Sequence, residues 1–297
     1  MKVLEFDSIH RAYRRNAEVL RGVDFSIEAG EVVGLLGKNG AGKTTLIRIA
    51  MGMLEAQRGR VRVLGLDPRK EALEVKRRVG YVSEDQILPE FMTVGDVIRL
   101  HRGLFPTWDE ELEKRLRERF ELSPKSKIKT LSKGQARQVA LLCAIAHRPE
   151  LLLLDEPAGG LDPATRRDFL ETSIQLLNES GSTILFSSHY MGDVERMAGR
   201  VVMIHDGRVL INSPLDDLRE KFSLALVPGG SDSRRERLLG MRGCLSVRAR
   251  ADSLHAIFSI EPGECRALLE REMNLGGVHC VPIALEEMFV ELVGGRS

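Results

Sequence analysis

Residues 37–45 read GKNGAGKTT, sit between an apolar run (Val32–Leu36) and a segment with helical spacing, and constrain the fold more than any other part of the chain. A phosphate chain can be wrapped by backbone N–H groups only where the main chain turns tightly without side chains intruding. Gly37, Gly40 and Gly42 allow that turn, with Lys38, Asn39 and Ala41 between them. Lys43 then supplies a compact cation for the β- and γ-phosphates and Thr44 a hydroxyl for Mg2+. The helix that begins there, Thr45 included, points its positive end at the anion. Strand, loop and helix in this order predict a nucleoside triphosphate site.

The chain has 297 residues, enough for one large domain and an appendage, and its 43% hydrophobic and 29% charged content is that of a globular protein. No apolar run approaches the roughly 20 residues that cross a bilayer, and the N-terminus lacks the apolar core of a signal peptide, which predicts a cytoplasmic location. Cys143, Cys244, Cys265 and Cys280 show no paired spacing, so the sequence predicts buried free thiols and no zinc site or disulfide framework. A net charge of +1 gives no global attraction to nucleic acid, and none is expected as a partner. Residues 234–250 are locally basic, which reads as a solvated face or as a phosphate or lipid contact.

Short strands are predicted at residues 3–6, 23–27 and Val32–Leu36, a β-rich edge feeding a core strand, and a further one at 59–66. From about 94 to 129 the pattern is helical: Leu112, Leu116 and Phe120 recur at i, i+4 and i+8 among Glu, Lys and Arg, a helical insert with a wet outer face, followed by a helix over 132–146, together a helical subdomain at about 94–147. Leu151–Leu154 is a continuous apolar run of the kind buried on both faces of a parallel sheet, and strand-like runs return near 183–187 and 201–205. The alternation predicts a parallel α/β core over residues 1–212, and a Gly/Ser-rich break at 228–233 falls within a small accessory domain over 213–297.

The apolar run at 151–154 delivers Asp155 and Glu156 to its C-terminal end, where ligands of open α/β sheets bind. Asp155 is placed to hold Mg2+, and Glu156 can reach a water attacking the γ-phosphate. With the phosphate loop and this LLLLDEP segment in place, the chain resembles the nucleotide-binding subunit of an ABC transporter over about residues 1–212. Leu131, Ser132, Lys133, Gly134 and Gln135 resemble the family's LSGGQ signature, with Lys133 in place of the usual Gly; Ser132 and Gln135 also read as a helix capping box. Residues 159–162 (GGLD) resemble the loop that joins two subunits, and Asp162 before Pro163 reads equally as a helix N-cap.

His189 matches the family's switch histidine and Tyr13 the ring that stacks on adenine, or else an ordinary strand-edge tyrosine. The position of the metal-sensing Gln is taken by Glu84, with Gln86 two residues later. The resemblance implies a P-loop NTPase of ABC type with a helical signature subdomain. It implies ATP and Mg2+ as cofactors, Glu156 as general base, Lys43 as electrostatic clamp and His189 as orienting group. As partners it implies a second copy or a paralogous subunit, and a separate integral-membrane permease that holds this chain at the inner face of the membrane. Residues 283–292 resemble the ending of exporter ATPases for drugs, antibiotics and lipids, and read equally as an amphipathic closing helix packed on the main domain. The alternative function is a soluble ABC-type ATPase in translation, DNA repair or cofactor assembly.

Overall fold

Two long antiparallel strands open the chain, β1 (Lys2–Arg14) and β2 (Ala17–Glu28). The computed structural model describes residues 1–14, 17–84, 88–250, 252–273 and 278–293, in two units, Met1–Asn212 and Ser213–Ser297. The runs expected at 3–6 and 23–27 are thus parts of far longer strands. The reason is visible in the register: β1 slips between Phe6 and Ile9, where Ser8 takes a positive φ of 49°. A bulge breaks the alternation that a sequence reading follows while the strand pairing continues.

After β3 (Val32–Leu36) and α1 (Lys43–Ala50) the chain returns as β4 (Arg58–Val63), which completes a sheet of order β2-β1-β4. β4 is shorter than the predicted 59–66 because Leu64 and Gly65, at φ 54° and 79°, fold the chain back so that Val63 pairs with Leu66. Next come α2 (Ala72–Arg78) and β5 (Val79–Val82), which the sequence reading did not identify. Gly80 is required in β5, since a Cβ there would lie 2.2 Å from the Ala144 carbonyl oxygen.

The helical region holds α3 (Val94–Leu104), α4 (Glu110–Arg119) and α5 (Lys133–Ile145). Leu112, Leu116 and Phe120 are buried as expected. Glu113, by contrast, is not on a wet face: it is buried, and its carboxylate accepts from Arg102 Nη2 at 2.6 Å and the Trp108 indole at 2.9 Å, which offset its desolvation.

Then follow β6 (Leu151–Leu154), α6 (Pro163–Ser180), β7 (Thr183–Ser188), α7 (Met191–Met197), β8 (Arg200–His205) and β9 (Arg208–Pro214). With β3 and β5 they build a six-stranded sheet of order β5-β6-β7-β3-β8-β9, parallel from β5 through β8. Every residue of β6 and β7 is buried, as strands covered on both faces require. Each buried leucine there contributes about 1.5–3 kcal/mol of transfer free energy. β3, β6 and β7 lie side by side, so the loops leaving their C-terminal ends meet at one place.

The second unit runs α8 (Leu215–Glu220), β10 (Ser223–Pro228), α9 (Asp232–Leu239), β11 (Cys244–Arg250), β12 (Ser253–Phe258), α10 (Pro262–Met273), β13 (His279–Pro282) and α11 (Leu285–Val293). Its antiparallel sheet has the order β11-β12-β10-β13, so β10 to β13 with α9 and α10 form the split βαββαβ arrangement of ferredoxin-like domains. Val247, Leu254, Ala256 and Phe258 share a core with Leu238, Cys265 and Leu269. The alternate residues Ser246 and Arg250 bond instead to Glu291 of α11, so the closing helix packs on the sheet of its own unit. Among the described residues no helix is long and apolar enough to cross a membrane.

Candidate functional site

The glycine loop between β3 and α1 is as tight as its composition demands. A Cβ at Gly37 would lie 2.7 Å from the Ile204 carbonyl oxygen, and one at Gly42, whose φ is 107°, would lie 2.5 Å from Leu20 Cδ2. Gly40, at φ 83°, has open space beside it. α1 begins on Gly42 with no side-chain cap and no acidic residue in its first turn, so its first N–H groups are left for an anion. The loop opens on a cavity of about 250 Å3 lined by Tyr13, Val19, Asn39, Gly40, Gly42, Lys43, Thr44, Thr45, Glu84 and Glu156. A triphosphate fits these groups: backbone donors, a cation and a hydroxyl converge on one concavity.

Lys43 is 6% exposed; its ammonium donates to the Gly37 carbonyl at 2.8 Å and lies 3.1 Å from Glu156 Oε1. That contact with Glu156 is an ion pair rather than an aligned hydrogen bond, because Oε1 has no hydrogen-bond donor of its own despite its burial. The other oxygen, Oε2, accepts from His189 Nδ1 at 2.9 Å. A buried carboxylate with one oxygen anchored and the other left without a donor can take a proton from a water lodged beside it.

Asp155 occupies a different corner. Its Oδ1 accepts from Thr44 Oγ1 at 3.1 Å and from Ser187 Oγ at 2.7 Å. Burial pushes its carboxyl above the ordinary range and the adjacent Glu156 adds to this, while the bonds from Ser187 and Thr44 oppose it. Two buried carboxylates beside one lysine leave a deficit of positive charge, and the oxygens of Thr44 and Asp155 are of the hard type that a divalent cation such as Mg2+ takes. Among the described residues no three His, Cys, Asp or Glu side chains cluster as a metal site.

Lys43, Thr44, Asp155, Glu156 and His189 therefore come together, with Tyr13 at the rim, where its hydroxyl lies 3.2 Å from Thr45 Oγ1 and its ring is exposed. Glu84 lines the same cavity, whereas Gln86 falls outside the described residues. Ser132, Lys133, Gly134 and Gln135 do not line it. They form the N-terminus of α5, where Ser132 and Gln135 make the reciprocal capping box at 3.1 and 3.0 Å. Asp162 caps α6, accepting from Thr165 N–H at 3.1 Å.

Ser187 escaped the sequence reading: its hydroxyl accepts from Glu156 N–H at 2.8 Å while donating to Asp155. Strand alternation could have flagged it, since residues 187 and 189 point to the same face. No such signal announces Arg166, which grips Asp193 with paired bonds and lies 3.5 Å from the Tyr190 ring centroid, bracing the turn that carries His189.

A family model described as "ABC transporter" matches residues 20–159. The chain is 29% identical over 297 residues to the ABC transporter ATP-binding protein YtrB of Bacillus subtilis (strain 168), covering 99% of each chain. It is 34% identical over 221 residues to the linearmycin resistance ATP-binding protein LnrL of the same organism, covering 73% of this chain and 70% of that one. A solved structure described as the ATP binding subunit of an ABC transporter superposes with a TM-score of 0.65 at 30% identity, over 73% of this chain and 92% of the other.

Proposed function

The chain belongs to the ABC transporter family as an ATP-binding subunit with ATPase activity, and from that premise we propose that it drives an exporter whose membrane permease is a separate chain. The observation that carries the reading is the convergence of Lys43, Asp155, Glu156 and His189 on the cavity of the glycine loop. In this reading residues 1–212 are the ATP-binding domain, with its helical signature subdomain at about 94–147, and residues 213–297 an accessory domain.

Thr44 and Asp155 would hold Mg2+, with Glu84, or Gln86 as the sequence alternative, in the metal-sensing role, and the ion would neutralise charge on the phosphates. The backbone of the glycine loop and Lys43 bind and orient the triphosphate. Glu156 takes the proton of the attacking water, His189 holds the Glu156 carboxylate in place, and burial of that carboxylate keeps bulk water away from it. Ser132 to Gln135 sit apart from their own chain's cavity, which fits a second subunit whose α5 N-terminus closes over the nucleotide, with Asp162 at the junction. In this reading two subunits close on two ATP molecules and separate after hydrolysis.

A membrane partner is supported by the exposed apolar side chains of Phe91, Leu100 and Leu104. They belong to the same stretch as His101 and Phe105, which with Tyr81 and Leu88 line a cavity of about 210 Å3. In this reading these side chains form part of the surface that the permease covers. Such a partner would place the subunit at the cytoplasmic face of the membrane. Export is favoured by the resistance function in LnrL's name and by the closing segment, residues 283–292.

The test is a mild-detergent pull-down of tagged Glu156→Gln protein with ATP from its native host. A stoichiometric multi-span membrane protein supports the reading and identifies the chain that selects substrate. Recovery of only ribosomes, nucleic acid or soluble assembly proteins would replace it with the soluble ATPase alternative.

A further inference from the structure

Arg137 stands on α5, two residues beyond the Ser132 to Gln135 segment, and its guanidinium leaves that helix to cross two loops of the nucleotide site. Nη1 donates to the carbonyl oxygens of both Glu156 and Pro157, each at 2.9 Å, and Nη2 donates to the carbonyl of Glu84 at 2.9 Å. Three carbonyls from two loops thus converge on one planar group, an arrangement that needs several donors in fixed directions and that one ammonium cannot reproduce.

The backbone it grips is unusual. Glu156 has φ 45°, in the left-handed region that a residue with a Cβ adopts only when its surroundings hold it there. One peptide of Glu156 is fixed by its N–H donating to Ser187 Oγ at 2.8 Å, and the other has its carbonyl held by Arg137. The pair restrains the turn from both sides and so sets where the Glu156 carboxylate stands relative to Lys43 and His189.

We propose that Arg137 is a positioning residue for ATP hydrolysis, a strut that ties the placement of the Glu156 carboxylate and the Glu84 loop to the orientation of α5. Because the N-terminus of α5 carries Ser132 to Gln135, a shift of that helix when a second subunit engages it is transmitted to the carbonyls of Glu156, Pro157 and Glu84. Engagement across the dimer and alignment of the base become one event. This rests on the reading of Glu156 as base and goes beyond it, since Arg137 does not line the cavity of the glycine loop and acts through the backbone of Glu156, Pro157 and Glu84. A displacement of the base by even 1 Å lowers a rate by up to about 100-fold while leaving ground-state binding intact.

The experiment compares full-length wild type with Arg137→Ala and Arg137→Lys, and carries Glu156→Gln as a control. It measures kcat and KM for ATP, equilibrium affinity for a fluorescent ATP analogue, and the thermal midpoint. The expected result is a kcat about 30-fold or more below wild type in Arg137→Ala, with analogue affinity within about threefold and the midpoint little changed, and a partial recovery of kcat in Arg137→Lys. A kcat within about twofold of wild type in either variant overturns the strut. So does a fall in kcat matched by equal losses of affinity and midpoint, which would make Arg137 a general structural support. Turnover retained in Glu156→Gln removes the base assignment instead, so the two failures are told apart.

Discussion

Both units of this chain bury charge, and they do so to opposite ends. In residues 1–212, Lys43, Asp155 and Glu156 are all nearly inaccessible, one cation stands beside two carboxylates, and burial pushes the Asp155 carboxyl above its ordinary range. In residues 213–297, Glu291 is buried to a similar degree. It is paired with two arginines, Arg250 Nη2 at 2.9 Å and Arg248 Nε at 3.6 Å, and the His255 ring nitrogen Nδ1 lies 3.7 Å away, although Oε2 has no aligned donor. The first cluster has two carboxylates for one lysine and lines the cavity of the glycine loop; the second sets two arginines of its own unit against one carboxylate. Buried charge of the first kind is chemistry and of the second kind is architecture, and substitutions should separate them.

The largest effect is expected at Lys43. Lys43→Ala removes the clamp and leaves Glu156 without its cation, so ATP affinity should fall by about 100-fold or more. Equilibrium binding checks this, and unchanged affinity would contradict the clamp role. Glu291→Ala should do the reverse. It should cost about 1–3 kcal/mol of stability in a denaturation curve while ATP turnover stays within about twofold, because only structural partners are lost. A large fall in turnover with stability intact would break the contrast.

A third test concerns His147, buried in the ATP-binding unit and stacked on Phe105 with ring centroids 4.0 Å apart. Burial depresses its pKa to about 4, outweighing the nearby carbonyls of Cys143 and Val79. Between about pH 6.5 and 4 the unfolded chain binds this proton and the folded one does not, so the stability contribution is fully present above pH 6.5 and is lost as pH falls. From pH 7.5 to 5 the wild type should lose on the order of 1–2 kcal/mol more than His147→Phe. Parallel pH profiles for the two proteins would contradict the account. The smallest effect is at the rim: Tyr13→Ala should weaken ATP binding by about fivefold through lost stacking, with kcat nearly unchanged.

The same contrast explains what could be read from the sequence. The glycine loop and the DEP segment were legible because a phosphate site needs particular residue types at fixed spacing, and their chemistry survives as text. The parallel core was legible because Leu151–Leu154 is apolar without interruption. Ser187 and Arg137 were not, since each acts on groups distant in sequence through geometry that only the folded sheet creates. α2 and β5 were missed because a four-residue edge strand leaves little pattern, and the long β1 and β2 because a bulge breaks their alternation. In the C-terminal unit, the sequence offered only a small accessory domain over 213–297 with a Gly/Ser-rich break at 228–233. Its split βαββαβ order depends on pairings between β10, β12 and β13 that no local pattern encodes.

The central claim is that Glu156, poised between Lys43 and His189, is the base of an ATP-hydrolysing site. The direct measurement is ATP turnover and ATP affinity of Glu156→Gln, which keeps the shape of the side chain and removes its basicity. The account predicts a loss of turnover of about 100-fold or more with ATP binding retained. Turnover near that of the wild type would contradict it, and the convergence of buried charge on the glycine loop would then serve binding alone.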